Sequence, residues 1–463
     1  MHSTILKRTL IIAIFLSTLW GGNSYSQFYN GMHMTFGKNR IQYQDFNWMY
    51  FRSDRCDIYF YPRSKQLAQY VLKYGSSEIE KMEQKIGSTL ENKIQFIIYT
   101  TFQDFKESNI GLMGEDLYNT GGVNYISGNK VFLYFDETFQ DFDKMMTQGI
   151  AMVVLSDMIY GGSVFSQLKN QTLLTIPDWF LPGLLSYYTQ DWSFDIDNKF
   201  RYMILNDKAK NITKLKGEEQ AIAAHAFWKF IVDKYSERTL ASILNMTRNI
   251  RSFEKALLYS LSAHFEDLYA DCLKHYRVKY DADLDRAEPT DSELIKIRKE
   301  THYSQYVVSP ISGDVAYVTN KEGQEKIWLK RSGKKRAKRI YKRNHKIEES
   351  PDYSYPLLSW HPRARILGMI IREKELIYYL SYEIENGDKT KRLIANIDKI
   401  TSFSYSNDGR QFVFSGVKNG QSDIFIYNLA SNAVLQITND IYDDFSPIFF
   451  DNNSKIIFSS NRN

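Results

Sequence analysis

Zinc-dependent hydrolysis requires two histidines four residues apart on one helix face, with a glutamate between them to take a proton from the bound water. The eight histidines of this chain are His2, His33, His225, His264, His275, His302, His345 and His361, and no two have that spacing. His225 lies in an apolar helical stretch and His361 precedes Pro362 at a turn, so both read as packing residues. Cys56 and Cys272 are the only cysteines. Two cysteines make neither a zinc site nor a disulfide framework, and their separation in sequence leaves pairing open. Phosphate-cradling and nucleophile-elbow glycine motifs are absent, and Gly121-Gly122 and Gly161-Gly162 read as loop signals only. The clearest charge feature is the stretch 326–346, KIWLKRSGKKRAKRIYKRNHK, with eleven Lys or Arg and no acid. Lys330, Arg331, Lys334, Lys335, Arg336, Lys338 and Arg339 form its centre. Such a stripe suits anionic lipid head groups, polysaccharide or an acidic protein face. It equally suits an exposed outer strand, where lysines discourage edge-to-edge pairing.

Stepping outward, Lys7 and Arg8 precede an apolar run at 10–20, followed by small residues at Ser24 and Ser26. That pattern predicts a cleaved signal peptide over 1–26 and an exported mature chain. The apolar run is shorter than the roughly 20 residues that a membrane span needs. No cysteine follows it to carry a lipid, and no later segment is long and apolar enough to predict a span. The formal net charge of +5 falls to +3 when Lys7 and Arg8 are removed, too little to argue for nucleic acid. Aromatic residues make up 15% of the chain, a composition that favours strands.

Alternation predicts strands at 56–61, 94–99 and 131–135. Helical spacing of apolar residues predicts a helix over 64–86 with Ser64 as its N-cap, and further helices over 139–160, 177–188, 221–235, 239–246 and 252–276. Residues 27–285 therefore read as an α+β domain, strands then helices. Residues 286–300 read as a charged linker. Beyond it, short strands recur with a tight turn at Gly313, Ala364, Gly409 and Asn453, at steps of 51, 45 and 44 residues. A period near 40–45 with short strands predicts propeller blades. Residues 301–463 thus read as an incomplete all-β propeller, three blades and the start of a fourth, where rings use about four to eight. The expectation is that this sequence is the front part of a longer protein; the alternative is that another chain completes the ring.

The repeat resembles the TolB-like and dipeptidyl-peptidase-type propeller families. Ser446-Pro447-Ile448-Phe449 and Ile456-Ile457-Phe458-Ser459-Ser460-Asn461-Arg462 match their recurring phrase, and Asp408-Gly409 keeps its turn. Over about 50–280 the chain resembles the gluzincin metallopeptidases, thermolysin's wider class. Thr147-Gln148-Gly149-Ile150-Ala151-Met152-Val153-Val154 is similar to the zinc helix, and Trp179-Phe180-Leu181-Pro182-Gly183 through Tyr188 to the phrase that carries the third ligand. On that resemblance Gln148 and Met152 stand where the ligand histidines belong, Gly149 where the general base belongs, and Pro182 where the third ligand belongs. None of these serves a zinc-bound water. The resemblance therefore implies a pseudopeptidase with no catalytic residues, metal or other cofactor. The Tyr-, Asn- and Lys-rich style resembles exported proteins of Bacteroidota.

These readings together predict a non-catalytic, protein-binding scaffold of the cell envelope, in the periplasm or beside the outer membrane, within a translocation, secretion or assembly complex. Its partners would be envelope proteins, with anionic lipid or glycan as further contacts. The alternatives are a metallopeptidase with atypical ligands, a peptidase whose catalytic part lies beyond residue 463, and a glycan- or peptidoglycan-binding propeller.

Overall fold

The computed structural model describes residues 46–107, 129–161, 174–281, 298, 301–344, 352–374 and 376–462. The signal peptide expected at 1–26, the Gly121-Gly122 loop and the linker expected at 286–300, Arg298 apart, lie outside the described residues.

The N-terminal region is built on one four-stranded sheet in the order β1 (Met49–Arg52), β2 (Cys56–Phe60), β3 (Ile94–Tyr99), β4 (Lys130–Tyr134). β1 runs antiparallel to β2, whereas β2, β3 and β4 are parallel. Parallel neighbours need a crossover, supplied between β2 and β3 by α1 (Lys65–Ile86). The short α2 (Phe102–Glu107) follows β3. After β4 the chain is helical: α3 (Phe139–Tyr160), α4 (Phe180–Thr189), α5 (Phe194–Leu205), α6 (Gly217–Lys234), α7 (Glu237–Ile250), α8 (Phe253–Leu261) and α9 (Phe265–Asp281). Their apolar faces share one buried core with one face of the sheet, the face that carries Ile58, Phe96, Ile98, Val131 and Leu133.

Two local expectations are corrected. Ser64 does not cap α1 with its side chain. Its hydroxyl is buried and instead accepts from Tyr61 N at 3.1 Å and reaches the Ile98 carbonyl of β3 at 3.3 Å. The single helix expected over 252–276 is two helices. Ser252 caps α8, and Ser262, in the left-handed region at φ 53°, ends it before α9 begins. Cys56 lies in β2 and Cys272 in α9, both buried free thiols. Burial raises both thiol pKa values and keeps them protonated.

The C-terminal region is all β. Sheet I is β5 (His302–Val308), β6 (Val315–Lys321), β7 (Gln324–Lys330) and β8 (Lys338–Arg343). Sheet II is β9 (Leu357–Trp360), β10 (Ile366–Glu373), β11 (Leu376–Glu383) and β12 (Lys389–Ile394). Sheet III is β13 (Lys399–Tyr405), β14 (Gln411–Lys418), β15 (Gln421–Asn428) and β16 (Val434–Gln436). Sheet IV has two strands, β17 (Asp444–Phe450) and β18 (Lys455–Ser460). Each is an antiparallel meander, and the first strands β5, β9, β13 and β17 neighbour one another in turn, as around a propeller axis. Buried cores fill the gaps between sheets I and II and between II and III. The described sheets do not close a ring, and sheet IV leaves Ile448, Phe450 and Ile457 about half exposed.

The turns that gave the repeat its sequence signature are the first hairpin of each sheet. Gly313, Gly409 and Asn453 all have positive φ, at 67°, 73° and 72°, where glycine and asparagine carry little strain. The second turn is made without a left-handed residue. There His361 Nδ1 accepts the backbone N–H groups of Arg363 and Ala364, at 3.1 and 2.9 Å. Its ring sits so close under the next turn that a Cβ on Gly409 would lie 1.8 Å from Nε2.

The two regions are docked. Lys399, at the start of β13 and only 7% exposed, reaches Asp136 and, at 3.2 Å, Glu137. Burial disfavours its charge, but the two carboxylates outweigh that and raise its pKa. Arg63 pairs with Asp398, and Phe139 N donates to Asp443 Oδ2 at 2.8 Å. The Gly420 turn, at φ 78°, meets Leu67 so closely that a Cβ there would be 2.7 Å from Cγ.

Candidate functional site

The helix that the sequence likens to a zinc helix is α3, which packs on the edge strand β4 and on α4. Gln148 and Met152, four residues apart, share one face and are 2% and 9% exposed. Gln148 Oε1 has no hydrogen-bond partner among the described residues. Gly149 is the informative position. A Cβ built on it would lie 2.3 Å from Val131 Cγ1 and 3.3 Å from Cγ2, in a strand whose side chain is fully buried. The absent side chain is thus what lets helix and strand approach. A glutamate here has no room.

Pro182 is the third residue of α4. The first four N–H groups of a helix have no intrahelical acceptor, so proline costs no hydrogen bond there. Beside it, a Cβ on Gly183 would lie 2.3 Å from the Ala224 Cβ, so α4 and α6 also meet through small residues. Gln148, Gly149, Met152 and Pro182 are all buried. His225 on α6 is 2% exposed, its Nδ1 2.9 Å from the Ser186 hydroxyl, with Trp192 and Tyr187 edge-on. Burial, with Lys229 and Lys85 nearby, drives its pKa down to about 4. A neutral imidazole held in this way is structural, as the sequence suggested. Among the described residues no group of three or more His, Cys, Asp or Glu is arranged to hold a metal ion.

Lys330, Arg331, Lys334, Lys335, Arg336, Lys338 and Arg339 are all exposed, but they do not form one surface. Register pairs Leu329 with Lys338 and Trp328 with Arg339, and a shift between Ile327 and Trp328 leaves Ile340 unpaired. Since side chains alternate across a strand, Lys338 shares the face of buried Leu329, turned to sheet II. Lys330 and Arg339 share the opposite face with Trp328. Arg331, Lys334, Arg336 and Lys338 line a cavity of about 260 Å³ against Tyr382 and Ile384. Lys335 is not part of its lining.

A larger cavity, about 740 Å³, lies where the two regions meet. Gln66, Gln69, Tyr70, Lys73 and Tyr74 of α1 and Phe139 of α3 form one wall, and the 418–421 hairpin, Asp423, Gln436, 439–441 and Asn461 the other. The Tyr70 ring lies tilted against Tyr74 and Phe139, each 4.7 Å away, and its hydroxyl donates to Asp143. Burial, with Asp444 and Asp440 nearby, pushes the Asp423 carboxyl up to about 6, although Thr438 donates to it. Sequence reasoning did not find this cleft, whose walls come from segments some 350 residues apart in the chain.

No family model matches the sequence, and no curated protein matches it. Solved propeller structures match distantly and in part. TolB from Acinetobacter baumannii is 14% identical, over 34% of this chain and 37% of that one, at a TM-score of 0.29. The β-propeller domain of the Trilobed protease from Pyrococcus furiosus is 14% identical, over 35% and 49%, at 0.26. A puromycin-hydrolyzing peptidase of Mycobacterium tuberculosis is 12% identical, over 30% and 21%, at 0.23. The chain thus spans between about a fifth and a half of the length of these structures. An oligogalacturonate lyase and a putative dipeptidyl aminopeptidase IV from Bacteroides ovatus are also among the matches. No described helix is long and apolar enough to cross a membrane.

Proposed function

We propose that this chain is a non-catalytic scaffold of the cell envelope, in which a pseudopeptidase domain (27–285) is docked on a partial TolB-like propeller (301–463) and the pair binds protein partners. The observation that carries this reading is the closure of α3 on β4 at Gly149, which fills with Val131 the space a general base would occupy. The signal-like start supports an exported protein working in the periplasm or at the outer membrane. The cleft between the two regions supports binding, because ligand sites favour such junctions and volumes of roughly 300–1,000 Å³.

The test joins metal analysis to site-directed photocrosslinking. Purified protein should carry no stoichiometric zinc and show no chelator-sensitive proteolysis. A photoreactive residue at Ile441, 77% exposed at the cleft, should capture a defined envelope protein. One at Phe194, 76% exposed elsewhere, should not capture it. One tightly held zinc per chain with chelator-sensitive cleavage would overturn the reading, as would equal capture from both positions.

A further inference from the structure

The basic hairpin of sheet I is not absorbed by a protein-binding role. Lysines along a free strand edge guard against pairing with other chains, and that explains outward cations on β8. It does not explain why four of them surround a cavity on the face turned to sheet II. Arg331, Lys334, Arg336 and Lys338 converge there over a floor of Leu329 and Tyr382. Lys334, Arg336 and Lys338 have no acidic partner among the described residues. The carboxylate at the rim, Glu385, is 70% exposed and leans toward Arg365 at 3.9 Å. Arg331 is already positioned, its Nη2 donating to the Ile384 carbonyl at 2.6 Å, which leaves the rest of its fork for a ligand. Several cations elsewhere in the propeller do have acidic partners: Arg365 has Asp314, Lys391 has Glu373 and Lys399 has Asp136.

We propose that the crevice between sheets I and II binds a phosphate monoester or diphosphate group through Arg331, Lys334, Arg336 and Lys338. Four cations against one rim carboxylate call for an anion of more than one charge, which phosphate esters supply near neutral pH. Guanidinium groups match phosphate oxygens in pairs, while lysines add point charge. The cavity, about 260 Å³, is below the roughly 300–1,000 Å³ of drug-sized sites. It therefore takes a head group or a small phosphate compound, not a polymer segment. This site stands whether or not the scaffold reading does.

Inorganic pyrophosphate is the probe, titrated calorimetrically into the full chain at low salt, where screening is least. Two double variants remove the same charge from the two faces of the same hairpin. Arg336→Ala with Lys338→Ala should weaken binding at least about tenfold, through loss of charge-assisted hydrogen bonds. Lys330→Ala with Arg339→Ala, on the Trp328 face, should leave affinity within about twofold, because only screened long-range charge is lost. All four residues are exposed, so both variants should fold, which circular dichroism checks. Equal weakening by the two variants would mean diffuse surface charge and would overturn the proposal, as would absence of binding to the unaltered chain. A second arm uses phosphatidylcholine vesicles doped with phosphatidic acid. If pyrophosphate and the vesicles compete and both depend on Arg336 and Lys338, the natural source is a lipid head group. If pyrophosphate alone binds, it is a soluble phosphate compound.

Discussion

Replacing Gly149 by alanine inserts one methyl group into the α3–β4 contact, and the structure sets the size of the effect. The new Cβ would stand 2.3 Å from Val131 Cγ1, well inside any real carbon–carbon contact, in a core without slack. Overpacking of this kind costs about 1–3 kcal/mol, while alanine recovers about 1 kcal/mol of helix propensity over glycine. The net expectation for Gly149→Ala is a loss of up to about 2 kcal/mol. Val131→Ala alone should cost about 2 kcal/mol by leaving a cavity. In the double variant the added methyl occupies the space left by the removed ones. Its cost should therefore fall short of the sum of the singles by about 1 kcal/mol or more. Gly149→Glu should be far worse, at least about 4 kcal/mol, since it adds an unpaired buried charge to the clash. Urea unfolding followed by tryptophan fluorescence is the assay, because Trp179 and Trp228 are both buried in this core. Additivity of the two alanine variants within about 0.3 kcal/mol, or a Gly149→Glu protein of unchanged stability, would refute the closure of the helix on the strand.

Two further outcomes follow from the same geometry. Met152→Asp should destabilise the N-terminal region by about 3 kcal/mol or more, since Met152 lies in the core and the new carboxylate has no partner; a melting temperature within a degree of the parent's would place that face in solvent instead. Asp443 is the second case: burial, with Asp141, Asp444 and Asp143 nearby, pushes its carboxyl up to about 6, although Phe139 N donates to it. The folded chain therefore holds this proton more tightly than the unfolded one, and the Asp443 contribution to stability declines as pH rises from about 4 to 6. Relative to the parent, Asp443→Asn should gain about 1–3 kcal/mol between pH 4 and 7, read as the difference between two denaturation series. A constant difference across that range would remove Asp443 as the source.

The propeller was legible because its turns demand particular residues: Gly313, Gly409 and Asn453 sit where φ is positive, and that requirement repeats at the blade period. The helices of the N-terminal region were legible where apolar spacing was long and continuous, as at Phe139–Tyr160. The break at Ser262 was not, because a serine in the left-handed region leaves none of the trace that a glycine would. Phe194–Leu205 was also missed: Ser193 and the acidic first turn are helix-start signals, but its balanced composition carries no long apolar run. At Gly149 the sequence showed a glycine within a helical stretch, but not that Val131 lies against it. The basic stretch showed its charge and concealed its division. A single unpaired residue, Ile340, decides which cations face the neighbouring sheet.

The docking contacts carry a consequence for how the two regions find their phase. Lys399 and Asp443 are 44 residues apart, one repeat step, and so occupy equivalent places at the entrances to sheets III and IV. The N-terminal region reads these equivalent places with opposite chemistry, two carboxylates toward Lys399 and a backbone N–H toward Asp443. A misassembly displaced by one blade would bring Asp443 against Asp136 and Glu137. The near-symmetry of the repeat is thus broken by what each place offers the N-terminal region, an ammonium at Lys399 and a hydrogen-bond acceptor at Asp443.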